Sequence, residues 1–397
     1  MPNPRRHILV APDAFKESMT SAQAAHAIAR GLRLAGRKWD PPPRIVERPL
    51  SDGGAGFVEA LCAGAEHRAI PVRVAGPLDE PIDASFALLD RPQGPVAVMQ
   101  MSAAAGLALV PHHQRDPEKT TTFGVGEMIG AALDAGAREI LIGVGNSATC
   151  DGGAGLLAAL GARFLDESGQ LIPRPTGADL ARIASIDAAP LRARLAGAPI
   201  VVACDVNNPL CGEQGSARVF GPQKGAKPAQ IDRLDAGMRN LAARSRDAGA
   251  TFDPDTPGAG AAGGVAFGLA ALAGAALRPG AEIVLDALGF DDLLRGAGLL
   301  ITGEGRLDAT SFSGKAAFAA ARRAQRAGVR AVAMVGSVGP GWERALTRAG
   351  GPFEEVRVIT PEGLPLESAL RDAPRLLQDE AARMLAVRGM LRRPEEY

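Results

Sequence analysis

The sequence predicts a two-domain α/β protein in which one domain contains an open parallel sheet. The chain of 397 residues is longer than one ordinary hydrophobic core supports, so two domains are expected. Buried strands alternate with helices near both ends of the chain, a pattern typical of parallel sheets with crossover helices. Residues from about 68 to 101 are instead β-rich, with stretches of period two. These observations indicate two unlike α/β domains.

The N-terminal segment predicts two strand–helix pairs. The apolar run near the start fits a short buried strand. The alanine-rich segment that follows predicts a helix with Thr20 or Ser21 as its cap and Gly36 as its end. The predicted order is strand 7–12, helix 21–36, strand 44–50 and helix 57–64.

The alternation continues after the β-rich stretch. In the middle of the chain the predicted elements are helix 120–136, strand 138–145, helix 155–161, strand 198–205 and helix 228–249. Towards the C-terminus they are strand 297–305, helix 315–328, strand 329–337, helix 341–351, strand 355–360 and a helix from Leu366 interrupted at Pro374. Residues 1–70 and 286–397 would form one five-stranded parallel sheet domain, with residues 71–285 inserted as a large mixed α/β domain.

Composition excludes several classes of function. The 44 basic and 44 acidic residues balance, and aromatic residues make up 4%, so neither a basic stripe nor a stacking platform for nucleic acid is expected. The four cysteines form no C-x-x-C pair and histidine is scarce, which disfavours a zinc site and indicates reduced cytosolic thiols. The first apolar run is too short for a signal peptide. We expect a cytoplasmic protein.

Residues 258–277 form an uncharged stretch whose length alone would span a bilayer. Glycine and alanine dominate it, and few of its residues are strongly apolar. This composition favours a buried glycine-rich turn followed by a core helix, with no membrane partner.

Polar and charged residues collect where the predicted strands end, and ligands of open parallel sheets bind at those ends. The sheet domain contributes Asp13, Lys16, Asp52, Glu304, Arg306, Asp308 and Lys315. The inserted domain contributes Ser147, Thr149, Asp151, Asp205, Asn207, Asn208 and Lys224. Carboxylates, cations, hydroxyls and glycines without a nucleophile–base pair are typical of phosphoryl transfer, in which the protein positions phosphates and Mg²⁺.

Lysine usage supports the same interpretation. Arginine is much the commoner cation in this chain, yet Lys16, Lys224 and Lys315 lie in turn or glycine motifs at strand ends. A compact ammonium group contacts phosphate differently from a planar guanidinium. Chance survival of lysine at solvated turns is the alternative explanation.

The pentapeptide Asp-Gly-Gly-Ala-Gly occurs twice, at 52–56 and 151–155. Two acidic, glycine-rich turns from different domains would suit a phosphate and metal site between the two walls of a cleft. An internal duplication and a pair of ordinary tight turns are the alternatives.

A weaker pattern indicates a different chemistry. Residues 143–148 match G-x-G-x-x-A after a predicted strand, and Asp166 follows at the distance typical of a dinucleotide fingerprint. The acidic turn at Asp151 interrupts the helix that should begin at once. A nicotinamide-dependent oxidoreductase is therefore kept as a minor alternative.

The motifs together resemble the type 1 glycerate kinases of bacteria, which phosphorylate glycerate from ATP with Mg²⁺. The resemblance runs from about Ile8 to about Ala386 and is carried by APDAFKES, DGGAG at Asp52, GNSATCDGGAG, ACDVNNPL, FGPQKGA, PGAGAAGG and ITGEGRLD with GK. It implies a discontinuous flavodoxin-like domain, a second unlike α/β domain, and an active site in the cleft between them. It also implies transfer to the 2-hydroxyl of D-glycerate, giving 2-phosphoglycerate.

The chain departs from the family pattern at several motif positions, namely Ala55, Gln100, Asn146, Cys150, Ala316 and Ala317. The family has glutamate at the first two of these positions. These differences motivate a second interpretation, a non-catalytic or repurposed relative that binds a small hydroxy acid or a nucleotide. A homodimer is left open.

The resemblance and the strand-end inventory assign the expected site. Catalytic roles are expected for Asp13, Lys16, Asp205, Arg306 and Lys315, with Asp13 or Asp205 as the proton acceptor. Nucleotide binding is expected from Ser147, Thr149, Gly152, Gly153, Gly303, Glu304 and Gly305. Mg²⁺ binding is expected from Asp52, Asp151 and Asp205. Residues 301–315 are expected to be exposed and mobile until ATP binds.

Overall fold

The computed structural model describes residues 7–37, 39, 41–54, 56–63 and 65–391, and the side chains of residues 313 and 388–391 lie outside this description. The chain divides into two compact units. Unit 1 contains Met1–Asp52, Glu59–Ala63 and Ala281–Tyr397, and unit 2 contains Gly53–Val58 and Gly64–Gly280. The sequence-based boundaries at 70 and 285 lie later in the chain. The first junction comes earlier because the first strand of unit 2 already begins at His67.

The described residues form thirteen strands and thirteen α-helices, besides short 3₁₀ turns. The strands are β1 (His7–Val10), β2 (Ile45–Glu47), β3 (His67–Ala75), β4 (Pro81–Leu89), β5 (Val96–Gln100), β6 (Glu139–Gly143), β7 (Arg163–Leu165), β8 (Ser185–Asp187), β9 (Ile200–Ala203), β10 (Ala276–Arg278), β11 (Ala297–Leu307), β12 (Arg330–Val338) and β13 (Glu355–Val358). The helices are α1 (Ser21–Gly36), α2 (Phe57–Cys62), α3 (Ser102–Ala105), α4 (Phe123–Asp134), α5 (Ala154–Ala159), α6 (Ala189–Arg194), α7 (Ser216–Phe220), α8 (Pro228–Asp247), α9 (Ala261–Ala273), α10 (Gly280–Ala287), α11 (Phe290–Arg295), α12 (Ala316–Arg326) and α13 (Leu366–Leu391).

Unit 1 is built on a five-stranded sheet whose described strands are all parallel, in the order β13-β12-β11-β1-β2. Numbered within the unit, this is the 2-1-3-4-5 order of flavodoxin-like folds. The prediction of a discontinuous, flavodoxin-like parallel sheet is confirmed. The strand order reverses at β1, because β2 lies on one side of it and β11 on the other. Ligands of open parallel sheets bind at such a reversal, beyond the carboxyl ends of the strands.

Strand β11 extends into the segment that the sequence predicts to be exposed and mobile. Residues 301–307 continue the parallel ladder with β12, and Thr302 and Glu304 are buried. The glycines here allow close packing and do not indicate a flexible loop. A Cβ at Gly303 would lie 1.9 Å from the carbonyl oxygen of Met334 on the neighbouring strand. The expectation of an exposed segment is therefore wrong for residues 301–304, and the mobility of residues 301–315 stays a prediction.

The segment after β12 also differs from the prediction. Residues 341–351 form two short 3₁₀ turns, Trp342–Ala345 and Thr347–Ala349, in place of the predicted α-helix. Gly341 and Gly350 flank these turns with φ angles of 80° and 82°. A left-handed residue at each of these positions stops a helix from continuing through the segment.

Helix α13 passes through Pro374, where the sequence predicts an interruption. Proline has no N–H group to donate to the carbonyl oxygen of Leu370, four residues earlier. The hydroxyl of Ser18 donates to that oxygen instead, at 2.6 Å. A side chain from the other end of unit 1 thus replaces the hydrogen bond that proline removes.

Helices α1 and α13 pack together in the core of unit 1. Thr20 caps α1 as predicted: its side chain accepts from the amide of Gln23, and the Gln23 side chain accepts from the amide of Thr20. A Cβ at Gly31 would lie 2.1 Å from the carbonyl oxygen of Gln378. The two helix backbones therefore approach as closely as only glycine allows.

Unit 2 contains a six-stranded mixed sheet in the order β10-β9-β6-β5-β4-β3 within the described residues. The strands from β10 to β5 are parallel, and β4 and β3 continue the sheet as antiparallel strands. A two-stranded β7-β8 pair stands apart from this sheet. The predicted β-rich stretch thus supplies the antiparallel edge, and the predicted mixed α/β character is confirmed.

The uncharged stretch from 258 to 277 forms a turn and the buried helix α9, as predicted. Residues Ala262 to Gly264 have positive φ angles, so regular helical geometry begins only after them. Across the described residues, no helix combines the length and the apolar character needed to cross a membrane.

Candidate functional site

A cavity of about 560 Å³ lies at the carboxyl end of the unit 1 sheet, where the strand order reverses. Seven of the residues that the sequence assigns to the site line this one cavity: Asp13, Lys16, Asp52, Glu304, Gly305, Arg306 and Lys315. The rest of the lining is Ala14, Phe15, Glu17, Ser18, Gly336, Ser337, Ile359, Thr360, Leu364, Leu366, Ala369, Leu370 and Ala373. The fold therefore brings together three cations and four carboxylates, including Glu17, from distant parts of the sequence.

Asp13 follows β1 and is fixed to β11 by its backbone. Its amide donates to the carbonyl oxygen of Gly303 at 2.8 Å. Gly303, expected to bind nucleotide, thus contributes a backbone acceptor that holds Asp13. Only 8% of Asp13 is exposed. Burial, together with the nearby charges of Asp52 and Glu304, raises the pKa of Asp13 to about 8. The hydrogen bond from the amide of Ala14 and the charge of Lys16 lower this pKa and so oppose the shift. The group therefore changes charge near neutral pH.

Lys16 lies in a tight turn directly after Asp13. Phe15 and Met19 exchange backbone hydrogen bonds across this turn, at 3.0 and 2.9 Å. Glu17 adopts a φ of 65°, which is uncommon for a residue with a side chain. The turn presents Lys16 as an exposed cation on the cavity lining.

Glu304 and Lys315 form an ion pair in the cavity. The Nζ of Lys315 lies 3.0 Å from Oε2 of Glu304 and 3.3 Å from the hydroxyl of Ser311. Burial raises the pKa of Glu304, and the charge of Lys315 opposes this shift. The other carboxylate oxygen, Oε1, is buried without a hydrogen-bond partner among the described residues. One oxygen of Glu304 is thus held by lysine, and the other is buried without a polar contact among the described residues.

Arg306 presents its guanidinium to the same cavity from β11. Its Nε lies 3.3 Å from Oδ2 of Asp308, and 61% of its side chain is exposed. Asp308 caps the following 3₁₀ turn by accepting hydrogen bonds from the amide and hydroxyl of Thr310. These bonds, led by the one from the Thr310 hydroxyl, lower the pKa of Asp308. Asp308 is therefore an anionic group that orients Arg306.

A second cluster, in unit 2, is organised by Lys224. Its Nζ donates to the hydroxyl of Ser147 and to the carbonyl oxygen of Thr149, both at 2.7 Å. Lys224 is buried, and burial lowers its pKa. The Thr149 hydroxyl is buried without a hydrogen-bond partner among the described residues. Lys224 thus fixes the loop that follows β6, a role that its position between glycines does not reveal.

Asp151 is fully buried in unit 2, and protein donors surround its carboxylate. The amide and hydroxyl of Thr122 donate to Oδ2 at 2.8 and 2.7 Å, and the amide of Gly153 donates to Oδ1 at 3.1 Å. The amide of Gly152 donates to the carbonyl oxygen of Gly263 at 2.9 Å. These contacts favour a structural anchor at Asp151 over a metal ligand. They also engage the two amides that the sequence assigns to a phosphate cradle.

Asp205 is half-buried at the end of β9 and is not part of the unit 1 cavity. Its Oδ1 accepts from the amide of Gly280 at 2.9 Å. A Cβ at Gly53 would lie 3.2 Å from its Oδ2, so the first glycine-rich turn packs against it. Asp205 therefore belongs to the surroundings of that turn within unit 2.

The two Asp-Gly-Gly turns share a sequence and differ in conformation. The first has positive φ at Gly53 and Gly56, whereas the second has it at Gly152 and Gly153. The first turn is also split, because Asp52 belongs to unit 1 and the glycines after it belong to unit 2. The difference in conformation removes the support for a duplicated structural unit.

Comparison with known proteins gives one consistent result. The sequence profile of the glycerate kinase family matches residues 8–388. The chain is 43% identical over 375 residues to a glycerate kinase of Bacillus subtilis (strain 168), covering 94% of this chain and 95% of that one. It is 42% identical over 331 residues to the glycerate 2-kinase of Escherichia coli (strain K12), covering 83% of this chain and 85% of that one.

The chain belongs to the glycerate kinase family. The crystal structure assigned to glycerate kinase 2 from Salmonella typhimurium LT2 has the same fold, with a TM-score of 0.84 and 40% identity, covering 97% of this chain and 98% of that one. The family resemblance and the prediction of a kinase are confirmed.

The described residues that depart from the family pattern are divided between unit 2 and unit 1. In unit 2, the side-chain amide of Gln100 donates to the carbonyl oxygen of Gly54. Cys150 is buried, and burial raises its pKa, whereas Asn146 is exposed with a φ of 61°. Ala55 lies outside the described residues, and the last two departures, Ala316 and Ala317, begin α12 in unit 1. The five described departures, Gln100, Asn146, Cys150, Ala316 and Ala317, do not line the unit 1 cavity.

The dinucleotide fingerprint fails in the structure. β6 ends at Gly143, and the next α-helix begins only at Ala154, whereas the fingerprint requires a helix directly after the strand. Asp166 closes a local turn by accepting from the amide of Ser168. The geometry does not support the nicotinamide alternative.

Sequence reasoning missed the apolar part of the cavity. Ile359 follows β13, Leu364 lies before α13, and Leu366 and Leu370 lie on the first turns of that helix. Leucines with this spacing ordinarily indicate core packing. The signal that could have identified them is their position just beyond the end of a parallel strand.

Proposed function

We propose that this member of the family transfers the γ-phosphoryl group of ATP to the 2-hydroxyl of D-glycerate, giving 2-phosphoglycerate and ADP. The observation that carries the proposal is the cavity at the strand-order reversal, lined by Lys16, Arg306 and Lys315 beside the carboxylates of Asp13, Asp52 and Glu304. Phosphoryl transfer needs cations on the phosphate oxygens and carboxylates for metal and proton. The name of the Escherichia coli relative supports the 2-hydroxyl as acceptor.

Asp13 is the proton acceptor in this proposal. The glycerate hydroxyl oxygen forms the new bond to the γ-phosphorus, the bond from that phosphorus to the ADP oxygen breaks, and the hydroxyl proton passes to Asp13. A pKa of about 8 places this carboxyl near the operating pH, where general bases work best. Asp205, the other candidate base, is bound to the amide of Gly280 outside this cavity.

Lys16, Arg306 and Lys315 would together neutralise the negative charges of ATP and glycerate. Lys315 already holds a carboxylate oxygen of Glu304, and Arg306 is oriented by Asp308. Lys16 is exposed on its turn, where the charge of a small anionic substrate would reach it. We assign Lys315 and Arg306 to the triphosphate and Lys16 to the glycerate carboxylate or the transferred group.

Mg²⁺ fits this cavity as a partner of the nucleotide. Among the described residues, no three His, Cys, Asp or Glu side chains are arranged to hold a metal ion by themselves. Mg²⁺ commonly takes one or two protein carboxylates and completes its shell with phosphate oxygens and water. Asp52 and Glu304, which both line the cavity, are the oxygen donors that we assign to it, and Oε1 of Glu304 makes no hydrogen bond among the described residues. When bound, it would neutralise charge on the phosphate oxygens.

In unit 2 we assign positioning roles. Lys224 orders Ser147 and Thr149, and the carboxylate of Asp151 ties the second glycine-rich turn to Thr122. A shared active site of the two units, a contribution of Asp205 to it, a cytoplasmic location and a homodimer stay predictions.

The test is a coupled ADP-release assay with Mg²⁺, ATP and a panel of three- and four-carbon hydroxy acids. We expect turnover with D-glycerate in the usual enzyme range of about 1–10³ s⁻¹. Phosphorus and proton NMR of the product should show the phosphate on C2. A phosphate on C3 would contradict the regiochemistry, and binding without turnover would favour the non-catalytic alternative.

A further inference from the structure

The unit 1 cavity has a chemically divided lining. Charged residues come from the ends of β1, β2 and β11 and from the start of α12. Apolar residues come from the end of β13 and from α13, where Leu366, Ala369, Leu370 and Ala373 follow the spacing of one helix face. The proposed function uses the charged group alone. The apolar group therefore still needs an explanation.

Distance within the sheet separates the charges on β11 from the apolar residue at the end of β13. β12 lies between β11, which carries Glu304 and Arg306, and β13, which ends just before Ile359. Neighbouring strands lie ~4.8 Å apart, so the end of β13 is about 10 Å from the end of β11. A three-carbon acid held beside Glu304 and Arg306 would not reach Ile359, although Leu370 lies close to the Lys16 turn, because Ser18 donates to its carbonyl oxygen. A ligand that occupies both groups must be anionic at one end and apolar at the other.

Exposure of the apolar group points to the same kind of ligand. Leu366 is 73% exposed although it lines a cavity, and Leu364 is half-buried beside it. The cavity volume of about 560 Å³ lies in the range of sites for ligands much larger than glycerate. Thr360 and Ser337 add hydroxyl groups at the same strand ends.

We propose that the apolar residues Ile359, Leu364, Leu366 and Leu370 form the subsite for the purine base of the nucleoside triphosphate, whose phosphates bind Arg306 and Lys315. This inference rests on the proposed function, because it takes ATP as the phosphoryl donor. It assigns the nucleotide to unit 1 and to a wall that the family motifs do not contain. The hydroxyls of Thr360 and Ser337 would meet the sugar between the two ends.

The test compares a ligand that has the base with one that lacks it. Leu364 and Leu366 are replaced together by alanine, and isothermal titration calorimetry measures the binding of Mg²⁺-ATP analogue and of inorganic tripolyphosphate. We expect the Kd for the nucleotide to rise about tenfold, since two partly exposed leucines lose apolar contact with the base. The Kd for tripolyphosphate should stay within twofold of wild type. Val358→Ala, on exposed β13 surface outside the cavity lining, is the matched control and should change neither value.

Steady-state kinetics gives the second readout. In the double-alanine variant, the KM for ATP should rise about tenfold while the KM for D-glycerate and kcat stay within twofold. A rise in the KM for glycerate alone would overturn the proposal, because the leucines would then contact the acceptor. Equal weakening of nucleotide and tripolyphosphate, or no change in either, would also overturn it. Calorimetry needs no turnover, so a protein that binds ATP through these leucines without phosphorylating glycerate would refute the proposed function and support this subsite.

Discussion

At the scale of single residues, the cavity of unit 1 is governed by carboxylates held close to one another away from water. Asp13 and Glu304 are both buried, and burial raises the pKa of each. Lys315 compensates Glu304 through a direct ion pair, whereas Lys16 opposes the shift of Asp13 only through its charge. Burial, reinforced by the charges of Asp52 and Glu304, therefore outweighs the charge of Lys16 and leaves the pKa of Asp13 near neutrality.

Asp13→Asn should remove the proton acceptor and lower kcat by about 10²–10⁴-fold. The wild-type kcat/KM should rise with pH up to about 8, because the carboxylate form of Asp13 accumulates there. The asparagine variant should lack this limb of the profile. A variant with wild-type kcat and an unchanged pH profile would contradict the role.

Asp13→Asn should also change how the free energy of unfolding depends on pH, and the direction of this change follows from the pKa. The folded pKa of Asp13, about 8, lies above its ordinary value of 3.8. Between these values the native state binds a proton that the unfolded state has released, so the contribution to stability falls as pH rises. Asp13→Asn should therefore gain stability relative to wild type from pH 4 to pH 8, by on the order of a few kcal/mol at the upper end. Thermal melts of both proteins over this range measure the difference.

Lys315→Met should lower kcat/KM by about 10²–10³-fold, since it removes one charged donor from the phosphate site and leaves Glu304 uncompensated. Lys119→Met is the matched control. Lys119 is a lysine with 76% of its side chain exposed, it pairs with Asp116, and it lies outside the cavity lining. Initial-rate kinetics measures kcat/KM for the two variants. Equal activity of both would contradict a phosphate contact by Lys315.

At the scale of elements, a helix and a turn that are far apart in sequence complete each other. Helix α13 contains Pro374 and so leaves the carbonyl oxygen of Leu370 without its helical donor. Ser18, at the end of the turn that carries Lys16, supplies the donor at 2.6 Å. One hydrogen bond thus stabilises the helix and fixes the turn at the cavity.

Ser18→Ala should lower stability by about 1–3 kcal/mol, because it leaves the Leu370 carbonyl without a partner. In a Pro374→Ala background the cost should fall to less than half, since the amide of residue 374 can then donate to Leu370 in the ordinary helical way. Urea unfolding of the wild type, the two single variants and the double variant measures the coupling. Additive effects would show that Ser18 does not compensate for the proline.

At the scale of the whole molecule, the chain contains two units with different sheets and separate cores. Unit 1 draws its strands from both ends of the chain, whereas the strands of unit 2 come from one continuous stretch. The core of unit 2 includes α9, whose residues are almost all buried. Each unit therefore buries enough apolar surface to form a cooperative structure.

Residues 53–280 contain all of unit 2 and should fold as an isolated fragment with a cooperative thermal transition. Residues 53–255 are the matched control, since this shorter fragment lacks α9 and the edge strand β10 and should not unfold cooperatively. Calorimetry measures both. Loss of the transition in the longer fragment, or identical behaviour of the two, would contradict an independent core in unit 2.

The sequence by itself determined the strands of unit 1 and its first helices, their parallel sheet and the residues at its strand ends. Apolar runs, helix caps and glycine stops are local signals, so Thr20 and Gly36 were sufficient to place the first helix. Parallel strands bring their carboxyl ends to one edge, and for this reason Asp13 and Glu304 were expected in one site.

Only the tertiary structure decided the features that depend on partners distant in sequence. β11 continues two residues beyond its predicted end at 305, because Arg306 and Leu307 pair with Ser337 and Val338 of the neighbouring strand. The two Asp-Gly-Gly turns fold differently because different neighbours surround them. α13 continues through Pro374 because Ser18, more than three hundred residues earlier, donates to the carbonyl oxygen that proline leaves free. In each case a long-range contact contributes a free energy that local sequence preferences do not contain.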